Sequence, residues 1–151
     1  MSSSVLFVCK HNTGRSQMAE AYLRVLGGAN VAAASAGTIA ADAPDPSVVT
    51  VMAEDGIDIS AARPKLLDNA VMERADRILT MGCDVEGVPR IDADWGLPDP
   101  KGASIERVRE IRDIIKAKVL ALVASLRDGA PASGLTGNTI LAATSSIQDQ
   151  S

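Results

Sequence analysis

An α/β fold, a parallel sheet covered by helices on both faces, is what three features of this 151-residue chain predict. Short apolar runs alternate with amphipathic stretches along most of the length, the pattern of repeated strand-helix units. The first apolar run, Val5-Leu6-Phe7-Val8, passes through a short loop straight into residues spaced as a helix. The length suffices for one core and is short for two.

Each element can be read in order. Residues 5–8 form the first buried strand. Met18, Ala19, Tyr22, Leu23 and Leu26 follow at helical spacing, with Ser16 as the helix start and Gly27-Gly28 ending the pattern. Val31-Ala32-Ala33-Ala34-Ser35 reads as a second strand. Asp42-Ala43-Pro44-Asp45-Pro46 is a turn, in which Asp45 is the N-cap and Pro46 the first helical residue; Val48, Val49 and Met52 then face the core until Gly56. A further helix is expected over residues 66–74, and Arg77-Ile78-Leu79-Thr80-Met81 makes a third strand. Residues 88–91 are the candidate fourth strand, and residues 92–104 read mostly as loop. Ile105, Val108, Ile111, Ile115, Val119, Leu122 and Leu126 then mark a long helix closed by Gly129. Residues 1–129 are thus expected to form a single catalytic domain. Residues 130–151, rich in Ala, Ser, Thr and Gly, have little to bury and are expected to be a flexible tail.

Composition narrows the function classes. The net charge is −4, with no basic run and no stacking series of aromatics, which argues against a nucleic-acid partner. No apolar segment approaches the roughly 20 residues of a membrane span, and no signal peptide is visible, so the expected location is cytoplasmic. Two cysteines are too few for a disulfide scaffold, and with His11 as the sole histidine they close no ordinary zinc site. No bound metal or cofactor is expected. An anionic substrate has to be held by local dipoles and not by the field of the whole chain.

The chemistry lies in Cys9-Lys10-His11-Asn12-Thr13-Gly14-Arg15-Ser16, where five residues separate a cysteine from an arginine. After a strand and before a helix, the backbone N–H groups of such a loop converge on one concavity that suits a tetrahedral oxyanion. Arg15 can grip two oxygens through its planar fork, and Gly14 lets the loop turn closely. The same dipoles lower a thiol pKa from about 8.5 toward neutrality or below, making Cys9 a thiolate nucleophile. A cysteine and an arginine at this spacing mean little alone; the strand before and the helix after give them context. The bland alternative is Cys9 as a small core hydrophobe at a strand end. His11 reads as a solvent-facing loop residue and Lys10 as a solvated rim charge that can assist anion capture.

Loops at the carboxyl ends of neighbouring parallel strands lie side by side and form the ligand crevice. That brings together the cradle, the segment after Ser35 and the segment after Met81. Asp99 and Cys83 are then the distant residues placed to meet Cys9. An Asp facing the cradle can protonate the departing oxygen; the other reading of Asp99 is a turn residue before Pro100.

The run from Val5 to Met18, with Ser35-Ala36-Gly37-Thr38, Gly56-Ile57-Asp58-Ile59-Ser60, Met81-Gly82-Cys83 and Trp95-Gly96-Leu97-Pro98-Asp99-Pro100, resembles the arsenate reductases of the low-molecular-weight protein tyrosine phosphatase superfamily. The resemblance spans roughly residues 4–127 and keeps the motifs in order. It implies a three-layer sandwich with a four-stranded parallel sheet, Cys9 as nucleophile, Arg15 as oxyanion clamp and Asp99 as proton donor, with Asn12 and Ser35 holding the cradle in shape. With three aromatics in all, of which only Trp95 lies near the site, a small inorganic oxyanion fits as substrate better than a phosphotyrosine ring. The rival is hydrolytic: a tyrosine phosphatase uses the same three residues but needs an apolar slot for its ring. A third reading is an oxyanion-binding module without turnover. Reductases with an internal cysteine relay carry clustered cysteines, whereas Cys83 stands alone; it is either an inert thiol or the resolving one. The expected reductant is therefore an external thiol such as mycothiol or glutathione, recycled by a redox protein of glutaredoxin or thioredoxin type.

Overall fold

The computed structural model describes residues 3–39, 41–82, 85 and 87–128. In chain order the elements are β1 (Ser3–Cys9), α1 (Arg15–Leu26), β2 (Val31–Gly37), α2 (Pro46–Glu54), α3 (Asn69–Arg74), β3 (Arg77–Thr80), β4 (Ala93–Asp94) and α4 (Ile105–Asp128). The four strands are parallel and lie in the order β2-β1-β3-β4.

β1 is interior. It pairs with β2 from Ser3↔Val31 to Cys9↔Gly37, and with β3 from Val5↔Arg77 to Val8↔Thr80. An interior parallel strand is covered on both faces, which is why residues 5–8 are apolar without alternation. Val5 and Phe7 point to one face, where Leu79 joins Met18 and Tyr22 of α1, Val48 and Met52 of α2, and Ile111 and Ile115 of α4. Leu6, Val8 and Ile78 point to the other and meet Met72 and Ala75. Among the described residues, helices therefore cover both faces in three layers, thickly on one side and with the short helix α3 on the other. The apolar stripe of α4, Val108, Ile111, Ile115, Val119 and Leu122, is fully buried. Each such side chain contributes about 1.5–3 kcal/mol of burial.

Local boundaries follow capping chemistry. Asp45 accepts from the Ser47 amide at 2.9 Å ahead of Pro46, as its N-cap pattern predicts. The third helix starts later than residue 66. Asp68 caps it by accepting from the Val71 amide at 2.8 Å, while Lys65 and Leu67 use their backbone groups to bond Gly37.

The fourth strand is not at residues 88–91 but at Ala93–Asp94. Pro89 has no N–H to give a ladder. The Arg90 side chain instead donates to the Ala75 carbonyl at 3.1 Å, and Ile91 is exposed. Pairing with β3 begins only where the Asp92 amide reaches the Ile78 carbonyl at 2.8 Å. The expected tail, residues 130–151, and Cys83 lie outside the described residues. Among the described residues no helix is long and apolar enough to cross a membrane.

Candidate active site

Strand order places the cradle. β1 is joined onward to β2 on one side and flanked by β3 on the other, so a crevice opens at their carboxyl ends. Cys9 is the last residue of β1, and Arg15 the first of α1. Gly14 is the N-cap of α1 and brings no side-chain acceptor, which leaves the first amides of the helix to an anion. Two close approaches explain glycines here. A Cβ on Gly14 would lie 3.0 Å from the Pro100 ring, and one on Gly37 would lie 2.7 Å from the Lys10 carbonyl and 2.9 Å from the Asn12 nitrogen.

Cys9 is 3% exposed, and its Sγ lies 2.9 Å from Ser16 Oγ. Asn12 Nδ2 donates to that same Oγ at 2.8 Å. An oxygen receiving this amide directs its own hydrogen elsewhere, so Ser16 donates to the sulfur, an arrangement that favours thiolate. Asn12 is fully buried at φ 56°, the left-handed region, which Asn tolerates better than most residues. Its Oδ1 accepts from the Lys65 amide at 2.8 Å and from Gln17 Nε2 at 3.2 Å. Gln17 Nε2 also donates to the Asn12 carbonyl at 3.1 Å.

Arg15 is nearly buried and divided between two tasks. Nη1 donates to the carbonyls of Leu97 at 2.8 Å and Met81 at 3.2 Å, tying the loops after β4 and β3 to the cradle. Nη2 faces Asp99, 3.9 Å from its Oδ2. Asp99 is exposed and accepts from the Lys101 amide through Oδ1 at 3.0 Å. The turn and the site are thus served by different oxygens of one carboxylate. The Thr13 carbonyl accepts from the Asp45 amide at 3.0 Å, joining the cradle to the start of α2. Lys10 and His11 are exposed on the rim.

The structure thus brings Cys9, Arg15, Ser16, Asn12 and Asp99 to one crevice. Ser35 is different. Its hydroxyl donates to Glu20 of α1 and not to the cradle loop, because β2 presents it to the helix packed over that strand. Glu20, nearly buried, also pairs with Arg24 and with Lys65 Nζ at 3.3 Å, so the Ser35 side chain is linked to the cradle through Glu20 and Lys65. Sequence reasoning did not single out Gln17, Glu20 or Lys65. Gln17 is polar at a helix start, which reads as solvated, and Lys65 acts through its backbone amide, for which no residue type is a signal. The arrangement can bind a small tetrahedral oxyanion, present a nucleophilic sulfur to it and deliver a proton from an exposed carboxyl group.

Over residues 4–131 the chain matches the family described as low molecular weight phosphotyrosine protein phosphatase. It is 36% identical over 128 residues to the glutaredoxin arsenate reductase of Synechocystis sp., covering 81% of this chain and 97% of that protein. A solved structure described as an arsenate reductase in the phosphate binding state superposes with a TM-score of 0.75 at 36% identity, over 82% of this chain and 98% of the other. A thioredoxin-dependent arsenate reductase of Corynebacterium glutamicum gives a TM-score of 0.73 at 34% identity, over 85% of this chain and 63% of that one.

Proposed function

The chain belongs to the low molecular weight phosphotyrosine protein phosphatase family, and from that premise we propose that it is an arsenate reductase working through Cys9 with an external thiol as reductant. Arsenate is held by the amides of residues 10–16 and by the Arg15 guanidinium. The Cys9 sulfur attacks arsenic(V), an As–O bond breaks, and the departing oxygen takes a proton from Asp99 and leaves as water. A second thiol then attacks the Cys9 sulfur. The S–As electron pair stays with arsenic, which departs as arsenite, and Cys9 is left in a mixed disulfide. The two electrons come from the Cys9 sulfur and the incoming sulfur. Thiol exchange with a glutaredoxin-type protein regenerates Cys9. Mycothiol or glutathione fits as the incoming thiol, since Cys83 is the sole other cysteine in the sequence and leaves no third to carry a disulfide to the surface.

The observation that favours this reading over a tyrosine phosphatase is where the aromatics sit. The sequence holds three. Phe7 and Trp95 tilt against each other with centroids 5.5 Å apart, Lys118 of α4 lies over the Trp95 ring, and Tyr22 is buried in α1. None remains to wall a slot for a phosphotyrosine ring, and Lys101-Gly102 follows the aspartate-proline turn.

Arsenite formation is measured with a thioredoxin system, with a small thiol plus glutaredoxin, and beside aryl phosphate hydrolysis. Arsenate reduction with the thiol and glutaredoxin is expected to exceed aryl phosphate hydrolysis in kcat/KM. Cys83→Ser is expected to keep at least half of that turnover, a loss of about 0.4 kcal/mol or less in barrier. Hydrolysis outrunning reduction with every reductant overturns the reductase reading. Efficient turnover on thioredoxin alone that Cys83→Ser abolishes overturns the external thiol.

A further inference from the structure

We infer that the apolar rim beside the cradle, formed by Ile39 and Leu66, is the docking surface for the redox protein that restores Cys9; this rests on the reductase reading above. Six large hydrophobic side chains are exposed among the described residues, and four of them, Val25, Ile91, Ile114 and Leu120, belong to segments away from the cradle. Ile39 and Leu66 are 47% and 58% exposed and adjoin it. The Ile39 amide donates to the Lys10 carbonyl at 2.9 Å, and Leu66 forms a parallel bridge with Gly37, whose backbone is pressed against residues 10–12. Both side chains are therefore carried on backbone fastened to the loop that holds the nucleophile.

The occupant is set by what Cys9 requires. Cys9 is 3% exposed at the floor of the crevice, so a protein thiol that attacks the outer sulfur of its mixed disulfide, with the Cys9 thiolate leaving, gets there only by seating its surface on the rim. The strand order β2-β1-β3-β4 puts the exposed Asp99 and Lys101, which follow β4, on the other side of β1 from Ile39, which follows β2. Lys10 and His11 stand between, and among the described residues Lys10 enters no ion pair. In a chain of net charge −4 this is a local reversal of sign. The surface fits a small thiol-disulfide protein whose reactive cysteine stands in an apolar patch with an acidic side chain opposite Lys10.

The test compares wild type with Ile39→Ser/Leu66→Ser, whose backbone bonds to the cradle and β2 are kept. Arsenate reduction is run with glutaredoxin and with thioredoxin as varied substrates, and again with dithiothreitol alone; aryl phosphate hydrolysis and sedimentation are recorded in parallel. The expected result is a rise of at least fivefold in KM for the redox protein, with dithiothreitol-driven reduction and aryl phosphate hydrolysis within twofold of wild type. An unchanged KM for both redox proteins overturns the proposal while leaving the reductase reading intact. So does a wild-type dimer that the substitutions dissociate, which assigns the rim to a second copy of the chain. Absence of arsenite from wild type with every reductant overturns the functional reading itself.

Discussion

Replacing Asn12 by alanine tests the cradle at a buried residue whose side chain makes three of its hydrogen bonds. Alanine loses the bonds to Ser16 Oγ at 2.8 Å, from the Lys65 amide at 2.8 Å and from Gln17 at 3.2 Å. At about 1 kcal/mol each, with the Gln17 share discounted because that amide keeps the Asn12 carbonyl, the loss is about 2–3 kcal/mol. The φ of 56° adds strain, since an ordinary L side chain in this region costs about 1–2 kcal/mol more than in a helical or extended one. The sum is about 4 kcal/mol, which for a domain of this size lowers Tm by about 8–16 °C. Glycine at position 12 loses the same bonds without the strain but loosens the unfolded chain by about 0.4–1 kcal/mol. Asn12→Gly should therefore be more stable than Asn12→Ala by roughly 0.5–1 kcal/mol, read from the midpoints and slopes of urea unfolding. If Asn12→Ala lies within about 1 kcal/mol of wild type, or the glycine variant is the less stable, the account of Asn12 as the internal strut of the cradle is wrong.

Other outcomes follow from the same geometry. Arg15→Lys should retain less than a tenth of arsenate turnover, because one ammonium cannot both hold the Leu97 and Met81 carbonyls and fork onto an oxyanion; activity above that level would remove Arg15 from its role. Asp99→Asn should slow reactions with a poor leaving group by on the order of 10² to 10⁴ and those of an activated aryl phosphate much less, and equal losses in steady-state assays would leave Asp99 a turn residue only. Acid stability should depend on the contact between α2 and α4. Hydrogen bonds from Arg109 and Arg112 hold the Glu54 carboxyl below the usual carboxylate range, and the Tyr22 hydroxyl and Lys116 do the same for Asp55. Stability from such groups is complete above the ordinary carboxylate values near pH 4 and is lost as pH falls through the depressed folded ones, so Glu54→Gln should flatten the fall of Tm between about pH 5 and 3; an unchanged slope would show that these ion pairs do not govern it.

The parts of this molecule legible in its sequence are those in which residue type and local geometry coincide. Residues 5–8 are apolar because β1 is covered on both faces, and Asp45-Pro46 announces the start of α2 through capping alone. The position of β4 was illegible. Ala93 and Asp94 are too short to show any period, and what makes them a strand is hydrogen bonding to β3, while residues 88–91 carry the apolar signal without the amides. Cys9 and Arg15 could be placed because a strand, a five-residue loop and a helix start hold them, and Asp99 because loops at the carboxyl ends of neighbouring strands meet. Their supports could not. Ser35 bonds Glu20, fifteen residues earlier, and Lys65 serves the cradle with a backbone amide, and both relations exist only once β2 and α1 are packed.

The two halves of the site stand on elements of very different local stability. β1, from which Cys9 hangs, is laddered on both sides, and its amides should exchange with solvent only when the whole domain opens. Asp99 follows β4, a two-residue edge strand laddered to β3 alone, and its loop is fastened to the cradle through the Arg15 bond to the Leu97 carbonyl and the seat of Pro100 on Gly14. That half should open sub-globally, at a small fraction of the free energy needed to unfold β1. A reaction that must admit an anion, expel water and then receive a second sulfur needs one wall that yields while the other keeps its register. In the proposed mechanism the yielding wall carries the proton, and the rigid wall carries the nucleophile.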